Sequence, residues 1–162
     1  MGSSLLSFPS PVNEKAARTV AAGVVLLAAL TLVTSAYWLL IPLAYGFLAR
    51  TLAGPTLSPL GRLATQVAAP RLGPPRYVAG PPKRFAQAIG ALLSASAAIL
   101  ALGFGAHTAA DVLLAMLLAA AFLEAAFALC LGCRLFALGM RAGLVPERVC
   151  LECADLTRRS AA

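Results

Sequence analysis

The chain has 162 residues, of which 60% are hydrophobic and 12% charged, and its mean hydropathy is +0.87. A soluble domain carries about 25% charged residues, so this composition excludes a disordered chain, a collagen-like fibre and an ordinary soluble enzyme. The 13 Lys and Arg against 6 Asp and Glu give a net charge of +7. Because no nucleic-acid motif accompanies this charge, it predicts basic loops facing an anionic lipid surface and no binding of nucleic acid.

Four apolar segments approach the length that crosses a bilayer, which is about 20 residues. They cover residues 17–35, 37–52, 85–104 and 111–131. The second is the shortest and has Pro42 one turn inside it, where a kink is expected. We predict an all-α polytopic membrane protein with four transmembrane helices arranged as two hairpins, whose turns lie at 34–35 and 105–108.

Charge asymmetry sets the predicted orientation. With both termini and the central loop on one side, all 13 Lys and Arg lie on that side or at its boundary, and the two hairpin turns contain none. The positive-inside rule then places both termini in the cytoplasm and the protein in the cytoplasmic (inner) membrane as a multi-pass protein. The basic residues are Lys15, Arg18, Arg50, Arg62, Arg71, Arg76, Lys83, Arg84, Arg134, Arg141, Arg148, Arg158 and Arg159.

The predicted organisation has three parts. Residues 1–16 form a cytoplasmic N-terminal segment, 17–141 the four-helix transmembrane domain, and 142–162 a cytoplasmic tail that contains cysteines. A cytoplasmic loop at 53–84 is rich in Pro and Gly. Within it, residues 59–69 are typical of a short amphipathic helix with Leu60, Leu63 and Val67 on one face, either on the lipid headgroups or over a cytoplasmic site.

Small residues recur at every fourth position on two of the segments. They are Gly90, Ser94 and Ala98 on the third segment and Ala115 and Ala119 on the fourth. Such spacing lets membrane helices approach closely, although alanine is abundant throughout this chain.

The four cysteines form two pairs, Cys130-Leu131-Gly132-Cys133 and Cys150-Leu151-Glu152-Cys153, separated by 16 residues. If Asp111 marks the outer boundary, a continuous fourth helix places Cys130 about 29 Å deeper, at the inner boundary. A break at Val145-Pro146 would let the second pair fold back against the first. All four sulfurs are then expected to meet at the cytoplasmic face.

Three chemistries fit four such cysteines. The spacing lies within the window of a four-thiolate zinc site, and the same ligands suit an iron–sulfur cluster. The pairs also suit a dithiol relay that exchanges disulfides or carries sulfur as a persulfide. A reducing cytoplasm disfavours structural disulfides, and Arg134 and Arg148 beside the two pairs favour thiolates.

Local context separates these alternatives only in part. The first pair lies at the end of a long predicted helix and not on a Gly/Pro knuckle, which disfavours zinc. No βαβ pattern surrounds either pair, so a relay needs a separate partner protein. The leading hypothesis is a thiol-based redox or sulfur-relay component with Cys130, Cys133, Cys150 and Cys153 as its site. The rival is a non-catalytic membrane scaffold that holds zinc or an iron–sulfur cluster.

Glu124, Lys83, Arg84 and Arg134 are candidates outside the cysteine pairs. Glu124 is an ionisable group inside the fourth segment, about ten residues before its inner end; it is either functional or paired with Ser94, Ser96 or Gln87. Counting along one helix, Glu124 and Cys133 lie on different faces.

Lys83 and Arg84 at the entrance of the third segment suit headgroup anchors, and with the neighbouring arginines they could attract a small anion. His107 suits a solvated turn. A small-anion transporter that uses Glu124 and this basic entrance is a third function; four spans are few for it, so it would require a homo-oligomer.

The sequence also resembles a known family, on five blocks. These are Asn13-Glu14, residues 54–60 (GPTLSPL), Pro82-Lys83-Arg84-Phe85, Cys130 to Arg134 (CLGCR), and Val145-Pro146 ahead of Cys150-x-x-Cys153. They are similar to the bacterial membrane family called domain of unknown function 4395, over about 11–155. The resemblance implies a small four-span membrane protein. It also implies a link with thioredoxin-like or sulfurtransferase-like partners, by association only.

Overall fold

The computed structural model describes residues 11–144. The predicted convergence of the second cysteine pair, Cys150 and Cys153, on the first lies outside these residues, as does Arg148. In chain order the helices and strands are β1 (Val12–Asn13), α1 (Glu14–Thr34), α2 (Leu40–Ala53), α3 (Pro59–Leu63), α4 (Ala69–Arg71), β2 (Tyr77–Val78), α5 (Gly80–Ala98), α6 (His107–Phe127) and α7 (Leu131–Arg141).

The described chain is mostly helical, as predicted. Three helices are long and apolar enough to cross a membrane: α1, α6, and α5 with its π-helical extension Ile99–Gly103. Large apolar side chains on them face outward, among them Val33, Leu92 and Phe104, each more than two-thirds exposed. Such a surface is unfavourable in water and favourable in lipid, so these helices indicate a membrane protein.

The long helices pack between the two predicted hairpins as well as within them. Helix α1 packs chiefly on α6, α2 on α5, and α5 on α6. Apolar residues from all four, including Val24, Leu40, Ala97 and Leu114, form one buried core.

Polar contacts join the two hairpin turns. The Tyr37 hydroxyl donates a hydrogen bond to Asp111 Oδ1 at 3.2 Å, and the Tyr37 ring stacks on His107 with 4.4 Å between centroids. His107 is exposed, as the sequence predicts for a solvated turn, and it also makes a contact between the turns. Both turns lie at one end of the helices, since Tyr37 follows α1 and His107 begins α6.

Pro42 lies in the first turn of α2 and does not interrupt the helix. A one-turn 3₁₀ helix (Tyr37–Leu39) leads directly into α2 at Leu40, so Pro42 lies in the first helical turn. Backbone N–H groups there have no intrahelical partner to lose, and proline costs little. The kink predicted one turn inside the segment is therefore wrong.

Much of the predicted loop 53–84 is helical. A continuous helical stretch runs over residues 59–71, with a π-helical turn at Ala64–Ala68, which confirms a helix at 59–69. Of its predicted apolar face, Leu63 and Val67 are exposed. Its Leu60 packs against α1 at Gly23, where an added Cβ would lie 2.7 Å from a Leu60 methyl.

The chain around this loop departs from prediction in two further ways. Helix α5 begins at Gly80, five residues earlier than predicted, because its prolines occupy the first turn. Strands β1 and β2 pair antiparallel, with Val12 opposite Val78. Each strand has only two residues, which is too short for an alternating pattern of apolar and polar residues to be recognised in the sequence.

The fourth predicted segment is not one continuous helix. Helix α6 ends at Phe127, because Ala128 adopts a left-handed conformation with φ of 56°. Arg18 of α1 supports this end: its Nη2 donates to the Ala125 carbonyl at 2.9 Å and to the Ala126 carbonyl at 3.2 Å. A cation at a helix C-terminus donates hydrogen bonds to the carbonyls that are free there, and its charge interacts favourably with the helix dipole.

The two predicted stripes of small residues differ in outcome. Gly90 and Ser94 are buried, and an added Cβ at Gly90 would lie 2.2 Å from the Phe47 ring, so the stripe on α5 allows the close approach of α2. Ala115 and Ala119 are exposed. They take no part in packing within the described chain, and the prediction for the fourth segment is wrong.

Candidate functional site

Cys130 and Cys133 lie at the start of a separate helix, α7. Cys130 is the N-cap, with an extended backbone (φ −86°, ψ 104°), and its sulfur accepts a hydrogen bond from the Cys133 backbone N–H at 3.4 Å. The prediction that this pair rides on the end of a long helix is therefore wrong. The break after Phe127 turns the motif from a helix C-terminus, where the dipole disfavours a thiolate, into an N-terminus that favours one.

The two sulfurs have opposite proton affinities. The Cys133 thiol donates a hydrogen bond to the Cys130 sulfur, and this bond is the main reason that the pKa of Cys130 lies below its ordinary value; the Lys83 cation lowers it further, against burial and the Glu124 carboxylate. The pKa of Cys133 is raised, chiefly because its proton is held in that bond and also because the group is buried. The two pKa values are thus shifted in opposite directions, and Cys130 is the thiol of the pair that loses its proton more readily.

A cleft of about 370 Å³ opens onto both cysteines. Lys83 and Arg134 line it, so two cations border the sulfurs. Glu14 also lines the cleft, and its carboxylate pairs with Arg76 at 3.1 Å. Cys130 is 8% exposed and Cys133 half-buried. The cleft is therefore a side from which the pair is accessible.

Lys83 and Glu124 form an ion pair behind the cleft. Their side chains are 9% and 14% exposed. This pairing corrects two predictions: Lys83 is no headgroup anchor, and Glu124 pairs with none of Ser94, Ser96 or Gln87. Ser94 donates to the Gly90 carbonyl and Gln87 accepts from Arg50.

The early end of α6 explains both corrections. Glu124 lies in the last turn of α6, three residues before Phe127, and not ten residues inside a span. Lys83 reaches it from the first turn of α5. The break also invalidates the count of helical faces between Glu124 and Cys133, since the two residues lie on separate helices.

Arg84 lies apart from the cysteines. Its side chain is exposed, and its Nε donates to the Thr51 carbonyl at 3.0 Å, which links α5 to the end of α2. It remains compatible with a place at the lipid headgroups. Of the predicted site residues within 11–144, Cys130, Cys133, Lys83, Glu124 and Arg134 come together and Arg84 does not.

Sequence reasoning did not establish the roles of Gly132 and Arg50. An added Cβ at Gly132 would lie 2.5 Å from Ala86 Cβ, so the glycine between the cysteines lets α7 press against α5. Its position inside a CxxC motif on an apolar helix was the available signal. Arg50 was predicted only as one of the cations near the cytoplasmic boundary that could together attract an anion, yet its side chain is buried.

The described residues do not by themselves make a metal centre. Within 11–144 no group of three or more His, Cys, Asp or Glu side chains is placed to hold a metal ion. Cys130 and Cys133, both free thiols, supply two ligands, whereas a structural zinc site takes four. The predicted zinc or iron–sulfur site therefore depends on Cys150 and Cys153.

Comparison with known proteins gives one match. The family described as Domain of unknown function (DUF4395) matches residues 12–141, which includes Cys130 and Cys133 and ends before Cys150. No curated protein and no solved structure matches the chain. Because the match covers most of the sequence, the chain belongs to the DUF4395 family.

Proposed function

We propose that this protein is a membrane-embedded thiol redox or sulfur-relay component in which Cys130 is the nucleophile. The observation that carries the proposal is the asymmetry of the pair. Cys130 is the N-cap of α7 and accepts hydrogen bonds from Cys133, in a cleft bordered by Lys83 and Arg134. A thiolate at a helix N-terminus beside cations is the reactive form of cysteine.

The proposed exchange proceeds in two steps. The Cys130 thiolate attacks one sulfur of a partner disulfide, forming a mixed disulfide, and the other partner sulfur leaves as a thiolate that takes up a proton. Cys133 then loses its proton and attacks Cys130, which releases the partner as a dithiol. The partner gains two electrons, and the Cys130–Cys133 pair loses two by forming its own disulfide.

Sulfur transfer uses the same nucleophile. The Cys130 thiolate attacks the outer sulfur of a donor persulfide and becomes a persulfide itself, and the donor leaves as a thiolate. In either reaction the partner is a separate protein, of thioredoxin-like or sulfurtransferase-like chemistry. Cys150 and Cys153 would then reduce the Cys130–Cys133 disulfide and become a disulfide themselves, or accept the outer sulfur of a Cys130 persulfide. In the scaffold alternative they would complete a four-thiolate metal site.

Trapping the mixed disulfide tests the proposal. The reduced full-length protein in detergent is incubated with oxidised thioredoxin, and the linked cysteines are identified by peptide mass spectrometry. We expect Cys133→Ser to accumulate a mixed disulfide through Cys130, the unaltered protein to form the Cys130–Cys133 disulfide, and Cys130→Ser to form neither.

A Cys150→Ser/Cys153→Ser variant is the matched control. It retains the first exchange if Cys130 is the nucleophile. One zinc per chain after anaerobic purification, together with no reaction with thioredoxin or with a persulfide donor, would overturn the relay in favour of the scaffold.

We further propose that the chain crosses the membrane four times with both termini in the cytoplasm. Helix α2 has 14 residues, but together with the preceding 3₁₀ turn it reaches about 27 Å. It begins beside the hairpin turns and carries Arg50 near its other end, where the Arg50 side chain contacts Gln87 of α5. The cationic end is the cytoplasmic one under the positive-inside rule.

The surface of α7 supports the same orientation. Leu131, Leu135 and Leu138 are exposed at spacings of four and three, so they form one apolar face. Arg134 and Arg141 flank that face. Such a helix suits the boundary of the bilayer, with its leucines in the lipid and its arginines among the headgroups. The cysteine cleft would then open at the inner membrane surface.

A further inference from the structure

Arg50 of α2 carries a buried charge, on the side of the helix that contacts α5. The residue is 5% exposed. Its Nε donates to Gln87 Oε1 at 2.9 Å and its Nη1 to Ser58 Oγ at 3.1 Å. The guanidinium also lies over the Phe47 ring, 4.6 Å from the centroid. All three partners are neutral, so they orient the guanidinium without balancing its charge.

No carboxylate within the described chain neutralises Arg50. The ion pairs of residues 11–144 are Arg76 with Glu14 and Lys83 with Glu124, so the nearby Glu124 carboxylate is already bonded to Lys83. Arg50 Nη2 is buried and has no hydrogen-bond partner among those residues. A buried charge left unpaired costs several kcal/mol, and a hydrogen-bond donor without a partner adds to this cost.

A cavity lies beside this guanidinium. It measures about 360 Å³, and its polar lining comprises Arg50, Lys83, Gln87, Asn13, Thr65 and Tyr77. The side chains that line it include two cations and, within 11–144, no Asp or Glu. Its volume falls within the range of small-molecule sites, about 300–1,000 Å³. The site therefore combines room for a ligand with the charge of Arg50, which no carboxylate of the described residues balances in an ion pair.

We propose that this Arg50 cavity binds an oxyanion of the phosphate or sulfate type, whose charge balances that of the Arg50 guanidinium. Arginine suits such groups because its planar N–H donors match their oxygens and its charge persists at every physiological pH. A cation would be repelled by Arg50 and Lys83, and a neutral ligand would leave the charge unbalanced. The oxyanion is either free in solution or the headgroup of a phospholipid, and both present the same oxygens to Arg50.

This site is separate from the proposed thiol chemistry. Neither Cys130 nor Cys133 lines the Arg50 cavity, and Lys83 alone borders both the cavity and the cysteine cleft. Loss of the thiol reaction therefore leaves the anion proposal unaffected, and loss of anion binding leaves the thiol reaction to be judged by its own experiment.

Binding of the free anion is measured on the full-length protein in non-ionic detergent. The unfolding temperature is followed as sodium phosphate or sulfate replaces sodium chloride at constant pH and ionic strength. A ligand that binds only the folded protein raises this temperature saturably. We expect Arg50→Gln to abolish the rise, and Arg50→Lys, which keeps the charge but lacks Nη2, to weaken binding by roughly tenfold or more.

A second variant keeps the proposal testable if Arg50→Gln fails to fold. Thr65 is exposed at the rim of the cavity, and its neighbour Gln66 is exposed but does not line it. Thr65→Glu places a tethered carboxylate at the cavity, where it competes with the ligand. Gln66→Glu adds the same charge one residue away. We expect loss of anion binding in Thr65→Glu and its retention in Gln66→Glu.

The phospholipid source is detected by native mass spectrometry of the protein extracted from membranes. One phospholipid per chain that is lost in Thr65→Glu and kept in Gln66→Glu identifies a headgroup, whereas saturable stabilisation by inorganic phosphate or sulfate without bound lipid identifies a free anion. The proposal is overturned if the unaltered protein shows neither, or if the two glutamate variants retain the ligand equally.

Discussion

The sulfur of Cys130 shows how single residues set the chemistry of this chain. The lowered pKa of its thiol reflects its place before the first turn of α7 and two donors from Cys133, the thiol and the backbone N–H. The same two cysteines on a continuous helix would lack the helix N-terminus. The CxxC spacing was readable in the sequence, but the division of labour between its two thiols was not.

Removing the Cys133 thiol should make Cys130 less reactive. Cys133→Ala deletes the donor that lowers the pKa of Cys130, so that pKa rises and the thiolate fraction at neutral pH falls. We expect alkylation of Cys130 by iodoacetamide to slow several-fold at pH 7 and its pH midpoint to move upward, as followed by peptide mass spectrometry. Cys133→Ser, which keeps a hydroxyl donor, should show a smaller change. An unchanged midpoint in Cys133→Ala would mean that the thiol bond does not control Cys130.

The ion pair between Lys83 and Glu124 should contribute to the stability of the fold. Both side chains are largely buried, so removal of one partner strands a charge. Lys83→Met should lower the free energy of unfolding by about 3–5 kcal/mol. The double change Lys83→Met/Glu124→Gln should lower it by less than the sum of the two single changes. Unfolding in SDS mixed micelles measures both. Arg84→Met is the control, since Arg84 is exposed, and it should stay within about 0.5 kcal/mol. Additive single costs would show that the two charges do not interact.

Among the elements, α7 depends on a close contact with α5. Gly132 lies against Ala86, and the Phe136 ring packs on Phe85 with 5.7 Å between centroids. The cleft exists because α6 ends at Phe127 and the chain resumes as α7 beside Lys83. The position of the helix break thus determines which groups surround the cysteines.

A methyl group at position 132 should displace α7. Gly132→Ala overpacks the contact with Ala86 and should lower the free energy of unfolding by about 1–3 kcal/mol. Because the change also loosens the cleft, alkylation of Cys133 should become faster. Gly103→Ala is the matched control, because an added Cβ there meets nothing within 4 Å; it should be neutral or stabilising by up to about 1 kcal/mol. Equal effects of the two changes would argue against the role given to Gly132.

At the scale of the whole molecule, charge and polarity separate the two ends of the helices. The hairpin turns meet through Tyr37, Asp111 and His107, and Lys83 contacts Glu124 near the end where α6 stops. The sides of the helices between these ends are apolar and exposed. This distribution suits a bilayer, with one end of the helices in each aqueous phase.

Site-directed labelling tests the four crossings. The native cysteines are replaced by serine, and single cysteines are placed at the exposed positions Thr34, Thr108 and Arg62. In intact cells, a membrane-impermeant maleimide should label Thr34→Cys and Thr108→Cys, whereas Arg62→Cys should react only after permeabilisation. Labelling of Thr34→Cys and Arg62→Cys from the same side would show that α2 does not cross.

Composition and periodicity were enough to predict a helical membrane protein, the approximate bounds of its long helices, and the CxxC pair as a candidate site, because hydropathy is a property of local sequence. They did not predict the end of α6 at Phe127, because Ala128 and Leu129 are not residue types that end a helix. Arg18, which stabilises that end, lies 107 residues away in the sequence. The partners of Lys83, Glu124 and Arg50 likewise come from other helices. Long-range contacts of this kind exist only once the helices have packed, so folding decided where the charges lie around the cysteines.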